Sequence, residues 1–240
     1  KKEHAHPIPN HKGKEQYGFQ NTYAISTRML GTMFAVHADE KGLIIPPKIA
    51  VNSIVIIPIM LEGTREKVLK IAEKIKKDLE EFSPLLDSRE NYTPGFKFNE
   101  WELKGIPIRI EIGPKDIEKN QAIVVRRDNL QKEAVKISEL KKNINKKLEE
   151  IQKNLFEKSK KLFKSKIEKA DSLEKLKKVI QNKKVGIVPL CNDEKCEETM
   201  KFETKGAKAL FISEKDKIKS EKCIICKKKA DYIIYAGKSY

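Results

Sequence analysis

The sequence predicts an α/β protein, with a mixed sheet flanked by helices followed by a small α+β unit that holds a metal. Three observations lead there. Residues 54–59 are a continuous apolar run, as expected of a strand covered on both faces. Residues 64–82 and 138–164 repeat apolar side chains at helical spacing, so long amphipathic helices accompany the strands. All 4 cysteines lie beyond residue 166 in two close pairs, which sets that stretch apart as its own unit.

Composition bounds what such a protein does. A chain of 240 residues with 39% hydrophobic content exceeds one ordinary domain and buries real cores. The net charge of +16 favours a polyanionic partner through salt-dependent attraction. No apolar run approaches the roughly 20 residues of a spanning helix. The opening residues do not read as a signal peptide, so a cytoplasmic protein with no membrane partner is expected.

Residues 1–18 lack periodicity and read as a loop or frayed terminus, with His4 and His6 solvated. From Phe19 a short strand is expected to lead into a helix carrying Leu30, Met33, Phe34 and His37, with Pro46 and Pro47 stopping it. Val68, Ala72, Ile75, Leu79 and Phe82 form the stripe of the helix over residues 64–82. Thr93 then caps a short helix that Pro94 starts and Gly105 ends. In the next strand Ile108, Ile110 and Ile112 enter a core, while Arg109 and Glu111 face the other way. Residues 121–127 read as another strand, whose Arg126 and Arg127 are placed to meet phosphates. Ser138 is expected to cap a helix through Lys164, with Leu140, Ile144, Leu148, Ile151 and Leu155 on its buried edge.

Two constellations carry chemistry. Phe98 and Glu102 share a helical face, and Arg109 follows on the strand, so an aromatic ring, a carboxylate and a guanidinium converge on an RNA-reading surface. Trp101 sits among apolar neighbours and is expected in the core. Cys191 with Cys196 and Cys223 with Cys226 have the spacing of a tetrahedral four-thiolate zinc site, which a reducing compartment favours over disulfides.

Taken with the segment STRMLG and the final Tyr240, these residues resemble the eukaryotic and archaeal type of prolyl-tRNA synthetase along essentially the whole chain. The resemblance implies a layout in three parts. Residues 1–47 would end a class II catalytic domain, 48–165 would be the anticodon-binding domain, and 166–240 the C-terminal zinc-binding domain. It also implies that Phe98, Glu102, Arg109, Lys115 and Asp116 read the two guanines shared by all proline anticodons, with a further family lysine near Lys132. Gln20, Ser26 and Arg28 would bind ATP, Gly31 would allow close packing, and Tyr240 would anchor the terminus. The full enzyme would attach proline to its tRNA through a prolyl adenylate, using ATP and magnesium, as a homodimer.

Too few residues precede Ser26 to hold the sheet that carries the catalytic arginines, so the chain is expected to read tRNA without forming the adenylate itself. Its helix near Arg28 is then expected to expose apolar surface. The alternative is a non-catalytic, zinc-containing RNA-binding module.

Overall fold

The computed structural model describes residues 7–9, 11–17, 23–213, 218 and 221–238. Where a loop was expected, β1 (Pro7–Pro9) and β2 (Glu15–Tyr17) pair antiparallel, with Ile8 opposite Gln16. Strands this short carry no detectable alternation, and Pro7 and Pro9 are tolerated because a two-stranded ribbon is all edge.

Helix α1 (Thr27–His37) forms as expected but stops at His37, well before the two prolines. Ala38 is already extended, and Asp39 and Gly42 close a tight turn, so Pro46 and Pro47 instead lead a 3-10 turn at Pro47–Ile49. No residue of α1 is buried, and Met29 and Leu30 stand half exposed or more, as the apolar-surface expectation requires. A Cβ on Gly31 would meet nothing within 4 Å, so among the described residues this glycine serves no close packing. His37 is partly buried. Desolvation, then the charge of Lys158, lowers its pKa, and its Nδ1 has no hydrogen-bond partner among the described residues.

The main unit is built from β3 (Ile54–Pro58), α2 (Arg65–Asp78), β4 (Leu85–Leu86), α3 (Pro94–Lys104), β5 (Ile108–Ile112), α4 (Pro114–Glu118), β6 (Gln121–Arg126), β7 (Lys132–Lys136) and α5 (Leu140–Ser165). Its sheet has the order β4-β3-β5-β6-β7. Strand β3 runs parallel to β4 and β5, each reached through a crossover helix, while β6 and β7 return antiparallel. Ile54, Ile56, Ile108, Ile110 and Ile112 cover one face and pack against Val68, Ala72 and Ile75 of α2 and the apolar edge of α5. On the opposite face Val55 and Ile57 pack under Phe98 and Trp101 of α3.

Two further helix boundaries differ from the sequence reading. Helix α2 ends at Asp78, and Glu80–Phe82 is a separate 3-10 turn closed by Ser83 at φ 49°. Ser138 does not cap α5, because Ile137–Glu139 already winds as a 3-10 turn that passes into the helix. The ends of α3 match their signals: Thr93 accepts from the Phe96 amide at 3.3 Å and Gly105 sits at φ 77°.

The segment after α1 is fastened to the end of α3 and to Arg127, which follows β6. Leu43 and Ile45 donate backbone hydrogen bonds to Leu103 and Gly105, each at 3.0 Å. A Cβ on Gly42 (φ 128°) would lie 2.6 Å from Leu103 backbone, and one on Gly105 would lie 2.5 Å from the Leu43 carbonyl. Both positions therefore require glycine, for conformation and for space.

The C-terminal unit comprises β8 (Ile167–Lys169), α6 (Leu173–Gln181), β9 (Val185–Leu190), α7 (Glu194–Glu203), β10 (Ala207–Ile212) and β11 (Tyr232–Lys238), with sheet order β10-β11-β9-β8. Leu176, Val179, Val188, Met200 and Ile234 give it a core of its own.

Asp87, at the end of β4, anchors α3. Its carboxylate accepts from Trp101 Nε1 at 2.8 Å and from Arg89 at 2.8 and 2.7 Å, while buried Lys97 lies 3.8 Å away. Burial alone would raise this carboxyl, but Arg89, Trp101 and Lys97 outweigh it and hold it at about 2, below the usual 3.8. A carboxyl depressed in the folded state stabilises fully above its unfolded pKa and loses that contribution as pH falls towards the folded value. Stability is therefore expected to fall by about 2 kcal/mol on this account between roughly pH 4 and pH 2. Urea titrations across that range, run on the parent and on Asp87→Asn, check it: the variant starts less stable and shows the shallower acid decline.

Candidate nucleic-acid interface and metal centre

The apolar cover of α3 runs out at Arg109. One cross-strand row of the sheet reads Leu85, Val55, Arg109, Val125, Lys132, so Arg109 follows directly on the aliphatic pair and Lys132 stands one strand beyond Val125. Beside them, below the Gly95 and Asn99 edge of α3, opens a hollow of about 410 Å³ lined by Phe98, Glu102, Arg109, Lys132 and Lys41.

Arg109 is held from three sides. Nη1 donates to Glu102 Oε1 at 2.8 Å, Nε donates to Glu111 Oε1 at 3.0 Å, and the guanidinium carbon lies 4.4 Å from the Phe98 ring centre. Glu102 also meets Lys41 Nζ at 3.4 Å, and Glu111 meets Lys132 at 3.3 Å. Burial pushes Glu102 up, but Arg109 and then Lys41 outweigh it and hold the carboxyl below its ordinary value. The hollow thus presents a charged acceptor and a planar fork of donors beside an aromatic ring. That set complements a planar ligand with donors on one edge and acceptors on another.

Of the residues singled out from sequence, Phe98, Glu102 and Arg109 come together here. Lys115 and Asp116 line no part of this hollow: Lys115 is exposed at the start of α4, and Asp116 Oδ2 accepts from the Gly113 amide at 3.0 Å. Lys132 does join, because its place in the cross-strand row fixes it two strands from Arg109. Lys41 was not legible, since it reaches Glu102 across 61 residues of sequence. Ser26 precedes α1 and Arg28 lies exposed in its first turn, both apart from the hollow, and Gln20 and Tyr240 lie outside the described residues. His4 and His6 lie outside them as well.

Arg126 and Arg127 are not available to phosphates. Arg126 donates to Asp128 and, at 2.8 Å, to Glu150, and buried Arg127 clamps Asp39 and donates to the Glu102 carbonyl at 2.8 Å. A buried guanidinium needs such partners, and these two fasten the sheet to α5 and to the segment after α1. The hydrogen bond from Arg127 depresses Asp39 to about 2.

The four cysteines converge in the C-terminal unit. Cys191 follows β9, Cys196 lies on α7, and Cys223 and Cys226 bracket a turn in which the Cys223 amide donates to Lys228 at 2.8 Å. All four sulfurs lie within 4.8 Å of one another, and Cys191 and Cys226 are 3.6 Å apart. That exceeds the roughly 2.05 Å of a disulfide and approaches the roughly 3.8 Å edge of a tetrahedron with zinc-sulfur bonds of about 2.3 Å. Burial raises the Cys223 thiol, but the amides of Cys226, Cys191 and Ile225 outweigh it and bring it to about 7. A thiolate stabilised by amides is a ready ligand. The donor set fits a structural zinc ion.

Residues 53–147 match the family described as Anticodon binding domain, and residues 173–240 match that described as Prolyl-tRNA synthetase, C-terminal. A proline-tRNA ligase of Alkaliphilus oremlandii is 37% identical over 95% of this chain and 47% of its own length. A proline-tRNA ligase 2 of Bacillus cereus is 40% identical over 95% of this chain and 48% of its own. A proline-tRNA ligase of Clostridium botulinum is 37% identical with the same coverage as the first, 95% and 47%. The chain spans about half the length of the curated relatives it matches.

Titration of the reduced chain with cobalt(II) is expected to give a thiolate charge-transfer band that saturates at one metal per chain. Chelation should lower the melting temperature of the C-terminal unit, and Cys223→Ser should remove both effects. A chain whose melting ignores metal and chelator contradicts the four-thiolate assignment.

Proposed function

We propose that this chain, a C-terminal portion of the prolyl-tRNA synthetase family, reads the anticodon of proline tRNA in the hollow beside α3. The observation that supports this most is the Glu102–Arg109 pair, 2.8 Å long and set beside Phe98. A guanine offers N1 and N2 donors to a carboxylate and O6 and N7 acceptors to an arginine fork. The pair is a stand-in for the base: each partner holds in the other the complement that a guanine supplies. Opening it leaves neither group without a hydrogen-bond partner so long as the base takes both places, and a base with the wrong edge leaves one bare. Glu111 and Lys132 keep Arg109 aimed while Glu102 changes partner. In this reading Lys115 and Asp116, at the opening of α4, complete the grip on the second guanine.

The remaining assignments rest on the resemblance and are part of the same proposal. Residues 1–47 end a catalytic domain, 48–165 form the anticodon-binding domain, and 166–240 form the zinc-binding domain. Gln20, Ser26 and Arg28 bind ATP in the full enzyme, a cytoplasmic homodimer that also takes magnesium and proline. Zinc, bound by Cys191, Cys196, Cys223 and Cys226, supplies a structural crosslink to the C-terminal unit. The eukaryotic and archaeal type is our reading of the sequence pattern, since the relatives named above are bacterial.

The test is binding of RNA hairpins that carry a proline anticodon or its guanine-substituted counterpart. Arg109→Ala is expected to lose about 1 to 3 kcal/mol with the guanine hairpin and little with the substituted one. Equal weakening on both would mark Arg109 as a phosphate contact and refute base reading. The 240-residue chain alone is expected to give no proline-dependent pyrophosphate exchange, because residues 23–26 pair with no strand among the described residues and Arg28 lies exposed in the first turn of α1.

A further inference from the structure

On the solvent side of α3 lies a second aromatic feature that the guanine hollow does not use. Tyr92 and Phe96 are stacked, with ring centres 4.6 Å apart and planes 12° from parallel. Both are open to solvent, at 43% and 50% exposure. The guanidinium carbon of Arg89 lies 4.8 Å from the Tyr92 ring centre. Arg89 and Phe96 therefore both pack against the Tyr92 ring. Arg89 is itself fixed by two hydrogen bonds to the buried Asp87 carboxylate. The result is an aromatic cluster rooted in the core through Asp87 and Arg89, in which the Phe96 ring is half exposed.

An isolated exposed ring is unremarkable on a protein surface. A preassembled stack is different, because its rings are already ordered and a planar ligand added to the open end costs little further entropy. Three observations point to an RNA base as that ligand. Phe96 lies three residues before Asn99, which lines the hollow, so ring and hollow rim are separated by about 5–6 Å on the helix surface. One nucleotide step bridges such a distance. The acids nearby are already matched, Glu90 by Arg65 and Glu100 by Arg89 and Lys104, so the rim does not repel a phosphate backbone. The chain as a whole carries +16.

We propose that Phe96, backed by Tyr92 and Arg89, is a base-stacking platform for the unpaired nucleotide that flanks the two guanines. It grips without reading, since every base has a π-face. The inference rests on the anticodon reading above, and it adds affinity where the hollow adds selection.

The test uses the 240-residue chain and proline-anticodon hairpins in which the flanking nucleotide is replaced by a fluorescent purine analogue. Binding is expected to quench the analogue. Phe96→Leu should abolish the quench and weaken binding about 5- to 100-fold whatever the flanking base, and Phe96→Trp should restore both. Tyr92→Leu should reproduce the loss in part, and melting curves confirm that these exposed substitutions leave the fold intact. If the analogue stays bright on the parent chain while Arg109→Ala abolishes guanine preference, the platform is wrong and the hollow stands. A parent chain without guanine preference, yet with a quench that depends on Phe96, removes the anticodon reading and the word "flanking" with it. Unchanged RNA binding in Phe96→Leu, alongside shielding of Phe96 in the absence of RNA, assigns the face to a protein surface and overturns the proposal.

Discussion

Burial of the Arg109 guanidinium in the sheet is the constraint around which the main unit is arranged. The residue is the second of β5, in register with Val55 and Val125, where an aliphatic side chain would complete the core. A guanidinium there must be paired, because an uncompensated buried charge costs several kcal/mol, about 3–5 when one partner is removed. Glu102 and Glu111 supply the pairing, and Phe98 covers the remaining face. Each of those partners has its own anchor: the first and last sit on α3, and the second faces Lys132 of β7. A polar centre of this kind contributes little net stability against a packed hydrophobic alternative. Its retention is intelligible if the charges have another use.

The rest of the unit keeps that centre in place. Helix α3 is fixed at its start by the Thr93 cap and at its end by Gly105, and underneath by Trp101 and Lys97 on Asp87. The segment that follows α1 is then sewn along the end of α3 through Leu43 and Ile45, with Arg127 bridging Asp39 and the Glu102 carbonyl. Lys41, in the same segment, reaches the Glu102 carboxylate itself. The stretch between Arg28 and the main sheet therefore touches the residue proposed to sense the anticodon. The C-terminal unit is organised differently: its hydrophobic core is small, and the four thiols gather where β9, α7 and the turn at Cys223 meet.

Local rules made much of this legible. The cap, the proline and the glycine of α3 each demand a specific backbone conformation, and period-two alternation put Arg109 opposite the isoleucine face. The cysteine spacing sufficed to foresee one cluster. What escaped was non-local. Lys41 and the Arg127–Asp39 clamp depend on how distant segments meet, 61 and 88 residues apart. Arg126 and Arg127 looked like surface cations because a strand end is usually exposed, and only the tertiary neighbours Glu150 and Asp39 reveal them as internal. The hairpin near Ile8 and the 3-10 turns beside α2 and α5 are too short to impose a period on the sequence.

The most direct measurement is the side-chain NMR signal of Arg109 Nε on addition of RNA. If Glu102 exchanges Arg109 for a base, that resonance shifts with a hairpin bearing the two guanines and stays put with one in which they are replaced. A signal that moves equally with both hairpins, or with neither, contradicts the exchange.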